Sequence, residues 1–378
     1  MRLFALLLSV LLGVGAAHAE VDAAVTARDA ADRLEQASIS LQGAKTSRNR
    51  VKALTQAVQA YEEGLSALRE GLRKAAIREK QLDQQLKSQE NEIARLLGVL
   101  QSLGGNSSPT LLLHPDGPEG TARAGMILAD ITPALDVQAA KLRESLEEVQ
   151  ILAELQQGAA DTLQNGLDGA QAARAALAKA ISDRTNLPKR FIEDPVQTAL
   201  LIASTETLEG FASGLTEMAP EPEGLASLPD ISHRKGNLPL PVQAEILRRP
   251  GEADAAGLRR PGLVLAARPN ALVTSPAAAT IRYRGPLLDY GNVMVLEPQP
   301  GLLFVFAGLE TVYGDVGEVV PSGAPVGLMG GNDPEIGAIL SQSSDGSGQD
   351  RTETLYIEVR QGKTPVNPED WFQTNKDG

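Results

Sequence analysis

Residues 354–372 read TLYIEVRQGKTPVNPEDWF, a β-strand followed by a tight turn, a short extended piece and an aromatic stop. Thr354–Val359 is rich in aromatic and β-branched residues, Gly362 supplies the turn, and Pro365 and Pro368 bound the extended piece. Upstream, LVLAAR (263–268), TIRYRG (280–285), NVMVLEP (292–298), LLFVFAGL (302–309) and APVGLMG (324–330) repeat the pattern, punctuated by Gly and Pro. Short strands at close spacing predict a compact all-β unit of about 130 residues, within the usual size of a domain.

Before residue 241 the period changes. APEPEGLASLPDISHRKGNLPLP (219–241) is rich in Pro and Gly, lacks periodicity and reads as a linker over 219–240. Residues 194–218 open with Asp194 and Pro195, an N-cap and first-turn pair, and form an amphipathic helix. Its expected apolar face is Val196, Leu200, Leu208, Phe211, Leu215 and Met218.

Further upstream, Val51, Leu54, Val58, Tyr61, Leu65, Leu68 and Leu72 alternate spacings of three and four. Ala75, Leu82, Leu86, Ile93, Leu96, Leu100 and Leu103 continue the register, broken at Glu79 and Gln89. This is a coiled-coil seam. Ala30, Leu34, Ala37 and Leu41 carry a weaker version of it. GGNSSPTLLLHPDGPEG (104–120) stops the helix, and stripes at Leu135–Val149 and Leu163–Ile181 return it. The expected fold is therefore α + β and multidomain. A long antiparallel coiled-coil hairpin over 20–193 precedes a C-terminal all-β domain over 241–378. A parallel dimeric coil has the same heptad pattern.

The N-terminus, MRLFALLLSVLLGVGAAHAE, has a basic start, an apolar run too short to span a bilayer and an Ala-His-Ala site. It reads as a secretory signal peptide over 1–19, so the expected location is periplasmic. The chain of 378 residues has no Cys, which excludes disulfide and thiolate chemistry. Its formal charge of −13, with no concentrated basic patch, argues against nucleic acid as a partner.

Catalytic chemistry is not legible. After the expected cleavage two histidines remain, His114 and His233, both outside the β-domain. Catalytic zinc sites rely on His or Cys ligands. No Gly-x-Ser-x-Gly elbow is present, and GLMGGN (327–332) lacks the Lys-Ser/Thr of a phosphate loop. SSDGSGQD (343–350) lacks calcium-loop spacing and reads as an exposed loop. No cofactor is expected.

LPLPVQAEIL (238–247), the run from Ser275 to Gly330 and LYIEVRQGKTPVNPEDWF (355–372) occur in the order of a LytM-type, duplicated-hybrid-motif zinc peptidase domain, which this region resembles. In that family a His and an Asp, a further His, and a His-x-His hold and work the zinc. The resemblance assigns these places to Arg260 and Val264, to Gly308, and to Thr354 and Tyr356. None of these side chains forms a zinc site, so the domain is read as degenerate, with no catalytic and no metal residues.

Signal peptide, coiled coil and degenerate LytM domain together resemble EnvC-type murein hydrolase activators. The resemblance implies a non-catalytic periplasmic activator of N-acetylmuramoyl-L-alanine amidases. It would act on septal peptidoglycan in cell division, regulated through its coiled coil by the FtsE–FtsX inner-membrane complex. Arg260, Val264, Gly308, Thr354, Tyr356 and Glu358 are then the candidate partner-binding groove. Purely structural readings are Tyr356 as a cross-strand aromatic and Glu358 as a solvated strand residue. The helix 194–218, through Val196, Leu200, Leu208, Phe211 and Leu215, is a candidate restraining arm; a third helix on the hairpin is the other reading. Competing assignments are a periplasmic adaptor of an efflux or secretion assembly, an active zinc murein endopeptidase and a purely structural coiled coil.

Overall fold

The computed structural model describes residues 29, 32–88, 94, 98, 117–183, 189–191, 194–218, 229–334, 338–339 and 351–374. The expected signal peptide, His114, most of the 89–116 stretch, residues 219–228 and the 343–350 loop lie outside the described residues. Helix α1 is Ser47–Ser88, α2 Gly117–Ser182, α3 Pro195–Ser204 and α4 Leu208–Glu217. Among the described residues no helix is long and apolar enough to cross a membrane.

The chain divides into two compact units. Of the described residues, those within 68–164 together with 338–339 belong to the first, and those within 29–67, 165–334 and 351–374 to the second. In the first, α1 and α2 run antiparallel, with Leu72, Ala76, Leu82 and Leu163 buried. Arg78 grips Glu148 there through two bonds of 2.6 and 2.9 Å.

In the second unit the same two helices are again antiparallel, Leu65 facing Gly166 and Tyr61 facing Gly169. The seam partner is thus intrachain. Residues 32–42 do not extend the α1 seam as expected. The chain turns at 43–46, and the segment forms a separate helix tied to α1 by Arg33 and Glu63 at 2.6 Å.

Within the second unit the hairpin base shares a core with the β-sheet. Val51, Leu54, Val58, Leu177 and Ala180 pack with Leu272 and Tyr313. Glu62 accepts the Leu272 amide at 3.0 Å and meets Arg174 at 3.3 Å; Arg174 also meets Asp333 at 3.3 Å.

The sheet has ten strands: β1 Ala244–Arg248, β2 Leu263–Ala267, β3 Leu272–Thr274, β4 Ala279–Pro286, β5 Asn292–Gln299, β6 Leu302–Val312, β7 Val319–Val320, β8 Pro325–Met329, β9 Glu353–Gln361 and β10 Thr364–Val366. The main path is β1-β2-β9-β6-β5-β4-β7, with β10 on β9 and β8 joining β3 to β6. All these pairs are antiparallel. Successive side chains alternate faces, so a strand buried on both faces is continuously apolar. β6 shows this directly. Phe304 and Phe306 enter a core with Leu263, Leu265, Leu355 and Ile357, whereas Leu303, Val305 and Ala307 face the other way. The expected linker is shorter in structure, since Ile231 and Leu238 join the first of these cores and Leu238 bridges Phe372.

Candidate functional site

The second sheet face is built on alternation in β9. Leu355, Ile357 and Val359 enter the core, which turns Tyr356, Glu358 and Arg360 to the opposite face. Val264 on β2 and Ala307 on β6 stand in register with Tyr356, and Ala266 with Thr354. Gly308 ends this row at φ +95°, and a Cβ there would lie 2.6 Å from the Thr354 carbonyl oxygen. Only glycine fits that approach.

A buried polar chain crosses the face. The Gly262 amide donates to the Tyr356 phenol oxygen at 3.1 Å, and the Tyr356 hydroxyl donates to Glu358 at 2.7 Å. The other Glu358 oxygen accepts from Arg360 at 2.6 Å. Burial, then the neighbouring carboxylate, pushes the Tyr356 phenol well above its ordinary range, so it stays a proton donor. Arg260 stacks above this chain, its guanidinium 5.5 Å from the Tyr290 ring and 6.0 Å from that of Tyr356.

Helix α4 covers the face. Leu208, Phe211, Ala212 and Leu215 are buried against Tyr283, Leu287, Val293, Val295, Leu303 and Val305, and Phe211 meets the Tyr283 ring edge-on at 4.7 Å. Fully buring one such side chain is worth roughly 1.5–3 kcal/mol. Polar ties supplement the apolar contact. Arg360, 0% exposed, donates to the Ser213 hydroxyl at 2.9 Å and lies 3.8 Å from Glu209. Lys363 pairs with Glu217. Arg282 donates to the Leu215 carbonyl at 3.2 Å, satisfying an oxygen of the last helical turn.

The sequence-based candidates divide on this face. Val264 and Arg260 are half-buried, Gly308 and Thr354 exposed, Tyr356 buried. Glu358, expected as partner surface or as a solvated residue, is only 3% exposed and fully engaged by Tyr356 and Arg360. The 194–218 helix is two helices, broken where Thr205 caps α3 and Thr207 caps α4. The break separates the expected stripe: Leu208, Phe211 and Leu215 are buried, whereas Val196 and Leu200 are 76% and 69% exposed. Leu201 and Ile202, not expected, are the α3 residues that pack inward. Arg360, Arg282 and Ser213 were also absent from the candidate set. The period-2 series Tyr356-Glu358-Arg360 between Leu355, Ile357 and Val359 was the available signal for Arg360.

Residues 259–368 match Peptidase family M23. The chain is 30% identical over 132 residues to the murein hydrolase activator EnvC of Escherichia coli, covering 35% of this chain and 28% of that protein. It is 27% identical over 155 residues to an uncharacterized protein of Neisseria meningitidis, covering 41% and 23% respectively. The chain thus spans about a quarter of the length of these relatives. Among solved structures, Csd3 of Helicobacter pylori is 22% identical with a TM-score of 0.28, over 36% of this chain and 35% of that one.

The side chains at the five assigned zinc places do not fit that ion. Arg260 brings a cation, Val264 and Gly308 bring no donor, Thr354 brings a neutral hydroxyl, and the Tyr356 phenol is held protonated against Glu358. From Arg259 to Pro368 this chain matches Peptidase family M23, with a donor set at those places that zinc does not fit.

Proposed function

We propose that the chain is a non-catalytic activator of peptidoglycan amidases, exported to the periplasm and acting in septal wall splitting. Its β-unit is the docking module, and α4 is a restraint seated where the partner binds. The FtsE–FtsX complex, engaging the coiled coil, shifts the balance between covered and uncovered states. The similarity to EnvC supports the cell-wall role. The observation that carries the docking reading is Tyr356, which stands at one of the five assigned zinc places and is tied through buried Glu358 to Arg360, whose guanidinium binds α4. Uncovered, the sheet presents an apolar face flanked by fixed charges. Arg260, Val264, Gly308 and Thr354, at the more open end of the face, form the rest of the proposed contact surface.

The test is release of dye from labelled peptidoglycan by the full chain, alone and with purified N-acetylmuramoyl-L-alanine amidases. No release alone, and several-fold stimulation of an amidase by the Leu215→Asp variant, is expected. Release by the chain alone, or no stimulation of any amidase by either form, contradicts the proposal.

A further inference from the structure

Residues 189–191 lie between α2 and α3 in sequence, and they are docked on the sheet. The Arg190 amide donates to the Gly317 carbonyl at 2.7 Å, Lys189 bridges Glu318 in antiparallel fashion, and the Lys189 ammonium meets Asp315 at 3.3 Å. Gly317, at φ +84°, accepts this strap at close quarters: a Cβ there would lie 2.2 Å from the Phe191 carbonyl oxygen. The same turn is tied to β4, since the Gly317 amide donates to the Ile281 carbonyl at 2.8 Å and the Ile281 amide to the Glu318 carbonyl at 2.9 Å.

The next residue, Arg282, is the extra residue of a bulge. Ile281 pairs with Leu296 and Tyr283 with Val295, leaving Arg282 without a partner in the ladder. A bulge re-aims a side chain, and here it directs Arg282 to the α4 side of the sheet. Its guanidinium then meets three separate parts of the chain. The Phe191 ring lies 4.7 Å away, Glu297 on β5 3.2 Å, and the Leu215 carbonyl of α4 3.2 Å. Arg282 is buried, and burial lowers its affinity for a proton while Glu297 opposes this. A buried guanidinium needs its partners, so loss of one contact is felt at the others.

We infer that the 189–191 strap is a latch for α4: Phe191 holds the Arg282 side chain in the position that ties down the C-terminal turn of the helix. Undocking the strap from the Gly317 turn frees Arg282 and loosens α4, whereas a docked strap keeps α4 on the sheet. The latch joins the segment that follows the hairpin to the cover of the docking face. Its regulatory meaning rests on the proposed restraint by α4, but the coupling itself does not.

Hydrogen exchange of the full chain, with no amidase present, reads the coupling directly. Phe191→Ala is expected to speed exchange of the α4 amides about tenfold or more while β5 and β6 keep their protection; Phe191→Tyr, which keeps the ring, stays within about twofold of the parent. Gly317→Ala displaces the strap from its other side and is expected to give the same local loosening. Unchanged α4 exchange in Phe191→Ala, under conditions in which Leu215→Asp releases the helix, overturns the latch. Stimulation of amidase by Leu215→Asp is a separate readout, so failure of the latch and failure of the restraint give different results.

Discussion

The Tyr356 hydroxyl donates to Glu358 at 2.7 Å, two residues along the same strand and on the same sheet face. Glu358 in turn holds Arg360 at 2.6 Å, and Arg360 reaches Ser213 on α4. Strand β9 thus carries a hydrogen-bonded chain that ends on a helix. Tyr356 and Glu358 therefore hold the Arg360 guanidinium where it reaches α4.

Removing one partner of a buried ion pair leaves the other charge uncompensated, which costs roughly 3–5 kcal/mol. Arg360→Ala is expected to destabilise the β-unit by that order and to expose α4 to exchange. Arg360→Lys, which keeps the charge but not the forked geometry, should fall between the two. Urea titration followed by Trp371 fluorescence checks this. A stability loss below about 1 kcal/mol for Arg360→Ala would show the pair to be dispensable.

Gly308 constrains any attempt to restore metal chemistry. A side chain there meets the Thr354 carbonyl oxygen at 2.6 Å from its Cβ, on a backbone at φ +95°. Gly308→Ala is expected to cost more than about 1–2 kcal/mol, the penalty of the left-handed region alone. Gly308→His should lower Tm further and bind no stoichiometric zinc by elemental analysis. A Gly308→His protein that keeps its Tm and retains zinc through gel filtration contradicts this geometry.

Glu62 gives the joint between hairpin base and sheet a pH dependence. Burial raises its carboxyl from 4.5 to about 7, outweighing the Arg174 guanidinium and the Leu272 amide; Arg268 also acts on it, and Arg174 bridges to Asp333. The folded chain binds the proton more tightly than the unfolded one, so this contribution is fully present below pH 4.5 and is lost as pH rises through about 7. The loss is on the order of 3 kcal/mol. Glu62→Gln is expected to flatten the decline of Tm between pH 5 and 8; an unchanged slope would remove Glu62 as its source.

Much of the architecture was legible because it depends on period. The heptad seam of Val51, Leu54, Val58 and Leu65 and the strand runs around Phe304 and Ile357 carry their burial in their spacing. What escaped depended on contacts remote in sequence. The single helical stripe read across 194–218 marks Leu200, exposed, and passes over Leu201, packed inward, because extended backbone at Thr205 and Thr207 interrupts the helical period. Ile231 and Leu238 look like linker residues until the sheet supplies their neighbours. The missing imidazoles were plain to read, but the role of Arg282 required the bulge that re-aims it.

The affinity of the full chain for a purified N-acetylmuramoyl-L-alanine amidase, compared with that of Leu215→Asp, tests the docking account at its root. If α4 occupies the partner's seat, apparent affinity is reduced by the fraction of chains in which the seat is open. The expected result of isothermal titration calorimetry is binding by Leu215→Asp at least about tenfold tighter than by the parent. Equal affinities, with α4 shown by exchange to have left the sheet, would contradict it.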